Sequence, residues 1–167
     1  ISACLVGSEM CIRDRLAAVL QESGTEVVVV AKDSTAARIE EHGIELESVM
    51  FGELVSRPRA VSALREPVDA LLVATKAAGL GPALTRIQGA PPVVLPLLNG
   101  LDHIGAMRAR LPAESVLAGS IRVEADRPEP GVIVHTSPFL LVSMASAYES
   151  ARPQMEALAG ALDAAQV

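Results

Sequence analysis

From Leu16 onward the chain alternates continuous apolar runs with stretches in which apolar residues recur at helical spacing. EVVVVAK (26–32), DALLVAT (69–75) and PVVLPLL (92–98) are strand-length apolar runs of the kind that form strands buried on both faces. Between them, Leu16, Ala17, Val19 and Leu20 set an apolar helical stripe that Gly24 is expected to end. Ser34 is expected to cap a helix that runs to His42 and stops at Gly43. Residues 78–88, 101–111 and 148–165 predict three more helices, the first irregular near Gly81-Pro82. Short strands are expected over 44–51 and 59–64. Residues 115–125, 132–135 and 139–144 predict a later group of strands, the first two joined antiparallel by the turn RPEPG (127–131). The alternation predicts an α/β protein: a mostly parallel sheet flanked by helices, with an antiparallel extension at one edge near 115–144.

Composition narrows the picture. The 167 residues suit one ordinary domain, and 50% hydrophobic residues supply a core and exclude intrinsic disorder. No apolar run reaches the roughly 18 residues of a membrane span, and no membrane partner is expected; a cytoplasmic location is a separate expectation. The net charge of -6 and the absence of a basic block argue against a nucleic-acid partner. The three histidines, His42, His103 and His135, do not cluster, and no metal site is expected.

The first fifteen residues differ in kind from the rest. LVGSEMCIRD (5–14) back-translates into a DNA string that resembles the transposon-end adapter of sequencing libraries, read through as protein. Residues 1–15 are therefore expected to be non-native and are set aside in functional reasoning. Both cysteines, Cys4 and Cys11, fall within them. The stretch is still able to fold: residues 1–6 are apolar enough for a strand, and 11–15 can extend the helix that follows.

Candidate chemistry lies at the carboxyl ends of the apolar strands, where open α/β sheets bind ligands. Only two of the 14 cationic residues are lysines, and both stand there: Lys32 after EVVVVA and Lys76 after DALLVAT. Lys32 would meet the ribose of a dinucleotide, where a cation favours a 2′-phosphate. The adjacent Asp33 offers the opposite reading, a carboxylate on the ribose hydroxyls. Lys76 is a compact cation suited to a ligand oxygen. Asn99-Gly100 follows PVVLPLL. Its amide can cap a helix or contact a cofactor, and Gly100 permits close backbone approach. His103 is one turn on, within reach of an i, i+4 pairing with Asn99, and is otherwise expected to be half-exposed. His42 and His135 are expected to lack companions.

VDALLVATKAAGL (68–80), VVLPLLNGLDHI (93–104), VLAGSIRVEADRPEPGVIVH (116–135) and EVVVVAKDS (26–34) together resemble the ketopantoate reductase family over residues 16–167. The resemblance implies a Rossmann-like domain for NADP(H) and the NADPH-dependent reduction of 2-dehydropantoate to pantoate. It implies that Lys32 meets the 2′-phosphate, that Lys76 and Asn99 lie near cofactor and keto-acid substrate, and that Gly100 and Ala125 contact the cofactor. A homodimer is expected of the intact enzyme. In family register the glycines of the phosphate loop fall at Ser8, Met10 and Arg13, none of them glycine, so weak NADPH binding is expected. The family's helical domain, with its general-acid lysine and substrate-holding glutamate and serine, is expected to lie outside this chain. Two alternatives stand beside this reading: another branched 2-keto acid as substrate, and a nucleotide-binding module without chemistry.

Overall fold

The computed structural model describes residues 1–8 and 10–167. Five parallel strands, β1 (Ser2–Val6), β2 (Glu26–Val30), β5 (Arg59–Val61), β6 (Ala70–Val73) and β7 (Val93–Pro96), form the central sheet in the order β5-β2-β1-β6-β7. Their continuous apolar sequences follow from burial on both faces. Ala3, Leu5, Val27, Val29, Ala70 and Leu72 enter one core, while Cys4, Val6, Val28, Val30, Leu71 and Val73 enter the other. Successive side chains of a strand point to opposite faces, so a run without polar residues feeds both layers. Each fully buried Val or Leu among them contributes about 1.5–3 kcal/mol.

Helices cover both faces. Apolar residues of α1 (Met10–Glu22), α2 (Asp33–His42) and α5 (Arg152–Ala164) join the first core. Those of α3 (Leu80–Leu84) and α4 (Asp102–Arg108) join the second. From β1 the chain winds outward to β2 and β5, then returns to β6 on the other side of β1 and continues to β7. The direction of winding reverses between β1 and β6.

A second sheet of four strands has the order β4-β3-β10-β9 and contains β3 (Ile44–Ser48), β4 (Gly52–Ser56), β9 (Ala125–Glu129) and β10 (Val132–His135). Helix α1 packs against strands of both sheets. Arg13 through Leu20 are consequently buried without a break, beyond the single apolar stripe expected from sequence.

The antiparallel strands are present, but their placement corrects the expected edge extension. They do not continue the parallel sheet as one unit. β9 pairs with β10 in the second sheet, and β8 (Ala118–Arg122) pairs with β11 (Leu141–Ala145) in a separate two-stranded sheet. The link to the central sheet's edge is a parallel bridge between Val94 and Val116. The run 115–125 starts at the end of a 3-10 turn (Ala113–Ser115), holds β8 and ends on the first residue of β9, and Arg127 to Glu129 belong to β9 instead of a turn. Strand β4 follows a turn after β3 and was not expected. Ser34 does not cap α2: Lys32 is the N-cap residue, without a side-chain bond. Gly24 and Gly43 end their helices as expected. The adapter-like residues do build a strand and the first turns of α1. Among the described residues no helix is long and apolar enough to cross a membrane.

His135 has companions after all. It is buried at the end of β10, with Ser48 Oγ 2.8 Å from Nδ1, and with Ser137 Oγ at 3.0 Å and the Phe139 carbonyl at 3.1 Å from Nε2. Ser48 Oγ already accepts the N–H groups of Met50 and Phe51, so its single proton goes to Nδ1. The ring is therefore the neutral Nε2–H tautomer. Burial, and then the charge of Arg15, push its pKa below the usual 6.5, with the Phe139 carbonyl opposing them. Because the folded pKa is the lower one, this histidine's full contribution is present above pH 6.5 and is lost as pH falls toward the folded value. His103, also buried, acts with the same sign, and Asp14, whose pKa is raised by burial, acts with the opposite sign. The melting temperature is expected to fall on acidification through the histidine range, and less so in His135→Asn. Equal pH dependence in the two proteins would refute the assignment.

Candidate functional site at the carboxyl edge of the sheet

All five parallel strands end on one edge, and the reversal between β1 and β6 opens a crevice there. β1 passes into Gly7, whose φ of +144° lies in a region that favours glycine. A Cβ at Gly7 would overlap the carbonyl of Ala74 just beyond β6, so the β1–α1 turn and the β6 end touch through bare backbone. Ser8 Oγ then lies 2.9 Å from Thr75 Oγ1, and Gly79 packs beside both hydroxyls. The turn glycine thus stands at Gly7, one residue before the register expected from the family pattern. Arg13 occupies α1, and Met10 is its first residue, with a side chain outside the described part.

A cavity of about 510 Å³ opens beside this turn. Gly7, Ser8, Arg13, Lys32, Thr35 and Arg86 line it over an apolar wall that includes Val6, Val30 and Ala83. Three cations thus meet at one cavity, and among the described residues its lining carries no carboxylate. Lys32 is exposed at the start of α2. Arg13 is 2% exposed: Nη1 donates to the Gly7 carbonyl at 2.7 Å, Nε donates to Asp14 at 2.7 Å, and Nη2 has an ion pair with Asp14 but no aligned hydrogen bond. Arg86 Nη1 donates to the carbonyls of Ala31 at 2.7 Å and Ser62 at 3.1 Å. Asp33, the residue that clouded the reading of Lys32, does not line the cavity.

The other expected site residues lie further along the edge. Lys76 follows Thr75 beyond β6 and is exposed. Asn99 and Gly100 are exposed beyond β7, three strand spacings or about 14 Å from the β2 end that carries Lys32. Asn99 does not cap a helix, because α4 begins at Asp102 with Leu101 as its N-cap. No bond joins Asn99 to His103. His103 is buried, not half-exposed, and its Nε2 lacks a hydrogen-bond partner among the described residues. Ala125 sits in β9 opposite His135 and packs against the first core. Lys32 is thus in the cavity, while Lys76, Asn99 and Gly100 share its edge of the sheet and Ala125 belongs to the second sheet. Arg13 and Arg86 were missed. Arg13 lies in the segment set aside as adapter-like. Arg86 follows a short helix with no local signal, and reaches the cavity only because residues 86–88 pair with Leu64.

A doubly wound parallel sheet, a glycine turn after β1 and a cationic crevice at the winding reversal define a Rossmann-like nucleotide-binding class of domain. The chain belongs to the ketopantoate reductase family: the family model described as ketopantoate reductase PanE/ApbA matches residues 14–143. The family is one of oxidoreductases. An uncharacterized oxidoreductase, YkpB of Bacillus subtilis (strain 168), is 28% identical over 122 residues, covering 71% of this chain and 40% of that protein. Among solved structures, 2-dehydropantoate 2-reductase from Porphyromonas gingivalis W83 superposes with TM-score 0.85 at 23% identity, over 100% of this chain and 62% of that one. The Methylococcus capsulatus 2-dehydropantoate 2-reductase gives 0.83 at 22% identity, over 100% and 55%. A ternary structure of D-mandelate dehydrogenase with NADH and anilino(oxo)acetate gives 0.86 at 22% identity, over 99% and 55%. At these identities the superpositions establish the Rossmann-like fold. The chain spans about 40% of its curated relative and a little over half of these structures.

Proposed function

We propose that this chain is the NADP(H)-binding part of a reductase that converts 2-dehydropantoate to pantoate, a step toward pantothenate and coenzyme A. The observation that carries the cofactor reading is the pair of cations Lys32 and Arg86 on a cavity at the β1–β2 edge. Residues present there fit the phosphate-bearing end of such a cofactor. Lys32, Thr35 and Arg86 offer donors on one lining that, among the described residues, carries no carboxylate, and Gly7 brings backbone close to the crevice. Gly7 supplies the first turn glycine, but in that register the other two pattern positions are Glu9 and Ile12 in the sequence, and weak affinity is still expected.

In this reading Lys32 holds the 2′-phosphate by charge complementarity. Lys76 and Asn99 lie further along the same edge, where an ammonium and an amide orient the nicotinamide end and the ketone oxygen. Gly100 and Ala125 contribute backbone contacts. When bound, the cofactor supplies the hydride. The general acid and the substrate-holding residues are assigned to the family's helical domain.

A second reading keeps the fold and cofactor class but takes another branched 2-keto acid. The likeness to D-mandelate dehydrogenase favours keeping it in view. The test has a cofactor arm and a substrate arm. Lys32→Ala is expected to weaken NADPH binding by about tenfold or more and NADH binding by less than about twofold; equal losses would overturn the 2′-phosphate assignment. The complete protein encoded by this reading frame is expected to consume NADPH with 2-dehydropantoate. Turnover of a different 2-keto acid alone would select the second reading.

A further inference from the structure

Arg86 combines an anchored side chain with a place in the wall of the cavity that Lys32 overlooks. Its backbone is fixed first. The Arg86 N–H donates to the Ala83 carbonyl, and its own carbonyl accepts the Leu64 N–H at 2.8 Å. The Gln88 N–H returns a bond to the Leu64 carbonyl at 3.0 Å. The side chain is fixed next. Nη1 donates to the carbonyl of Ala31, the residue before Lys32, and to that of Ser62, just past β5.

A guanidinium has five N–H donors, and Nη1 accounts for two. Among the described residues, Nε and Nη2 make no hydrogen bond, which leaves three donors on a plane already held in place. Such a fork matches a phosphate bidentately, and little side-chain entropy remains to be lost on binding. Lys32, by contrast, is an exposed and flexible point charge.

We infer that Arg86 is a specificity-determining residue for the adenosine 2′-phosphate, holding that group together with Lys32 in the cavity both residues line. The inference rests on the cofactor reading given above. It predicts that Arg86, the rigid member of the pair, shares with Lys32 the discrimination between phosphorylated and unphosphorylated ribose.

The test titrates this chain with adenosine 2′-monophosphate, adenosine 5′-monophosphate, NADPH and NADH, reading backbone amide shifts so that millimolar affinities are measurable. The unsubstituted chain is expected to prefer the 2′-phosphate compounds. Arg86→Gln should lose about tenfold or more in affinity for them and less than about twofold for the other two. Arg86→Lys, which keeps a cation and one donor for the Ala31 carbonyl, should fold normally and lose the preference by about threefold or more. Should Arg86→Gln fail to fold, Arg86→Lys decides. Retention of the full preference in the folded variants overturns the role of Arg86 and leaves the cofactor reading standing. Binding of all four compounds without preference also overturns it, with nucleotide binding intact. Binding of none overturns the cofactor reading and this inference together.

Discussion

Gly7→Ala is expected to be among the most damaging single substitutions in this protein, with a loss of about 3–5 kcal/mol in stability or outright failure to fold. Two costs act together. The φ of +144° is one that a residue with a Cβ rarely adopts, and the new Cβ would overlap the Ala74 carbonyl. The obstructing atom is backbone, so no rotamer change relieves the contact. Separation of β1 from β6 would be needed, and those strands form the centre of the sheet. Chemical denaturation compared with Gly24→Ala provides the check. Gly24 also has positive φ, +91°, but its Cβ would meet nothing within 4 Å, so only the backbone cost applies there. Equal losses at the two positions would show that the close approach at Gly7 carries no weight.

Arg15→Met is expected to act in the other direction and stabilise the protein by about 2–4 kcal/mol. Arg15 has 0% exposure, and its Nε, Nη1 and Nη2 all lack hydrogen-bond partners among the described residues. Desolvation pulls its pKa down to about 10. Methionine keeps an unbranched chain in the same space between the two sheets and removes the buried charge. A rise in Tm of about 5–15 °C follows for a domain of this size. There is a second readout. After burial, the charge of Arg15 holds the His135 pKa down, so its removal should also soften the loss of stability on acidification. An unchanged or lowered Tm would mean that the guanidinium is satisfied in solution by groups outside the described residues.

These two positions also show what the adapter-like stretch does to the fold. Arg13, Asp14 and Arg15 are three consecutive charged residues in a part of α1 enclosed by both sheets. The helix continues through them because helix formation depends on backbone bonds and on the apolar Leu16–Leu20 segment behind them. Packing nevertheless asks for apolar side chains there. Arg13 is the partial exception, since its side chain reaches the cavity and is paired with Asp14.

The central architecture is legible in the linear pattern of apolar runs. Continuous strand-length runs such as VVVV and ALLV, bounded by turn residues, fit strands covered on both faces, and the helices alternating with them point to a parallel sheet. That pattern also placed Lys32, Lys76 and Asn99 at strand ends, and in a parallel sheet all those ends share one edge. Tertiary structure alone decided the second sheet. That sheet depends on β3 pairing with β10 across more than eighty residues, Glu45 with Val132 and Ser48 with His135. Long-range pairing of this kind has no local periodicity, and Pro128 argues locally against a strand. The same reason hid the His135 network, which unites Ser48 with residues 135–139, and the approach of Arg86 to Ala31. Local pattern reports which face of an element is buried. It cannot report which distant residue arrives to meet that face, because that choice is made by packing of the whole chain.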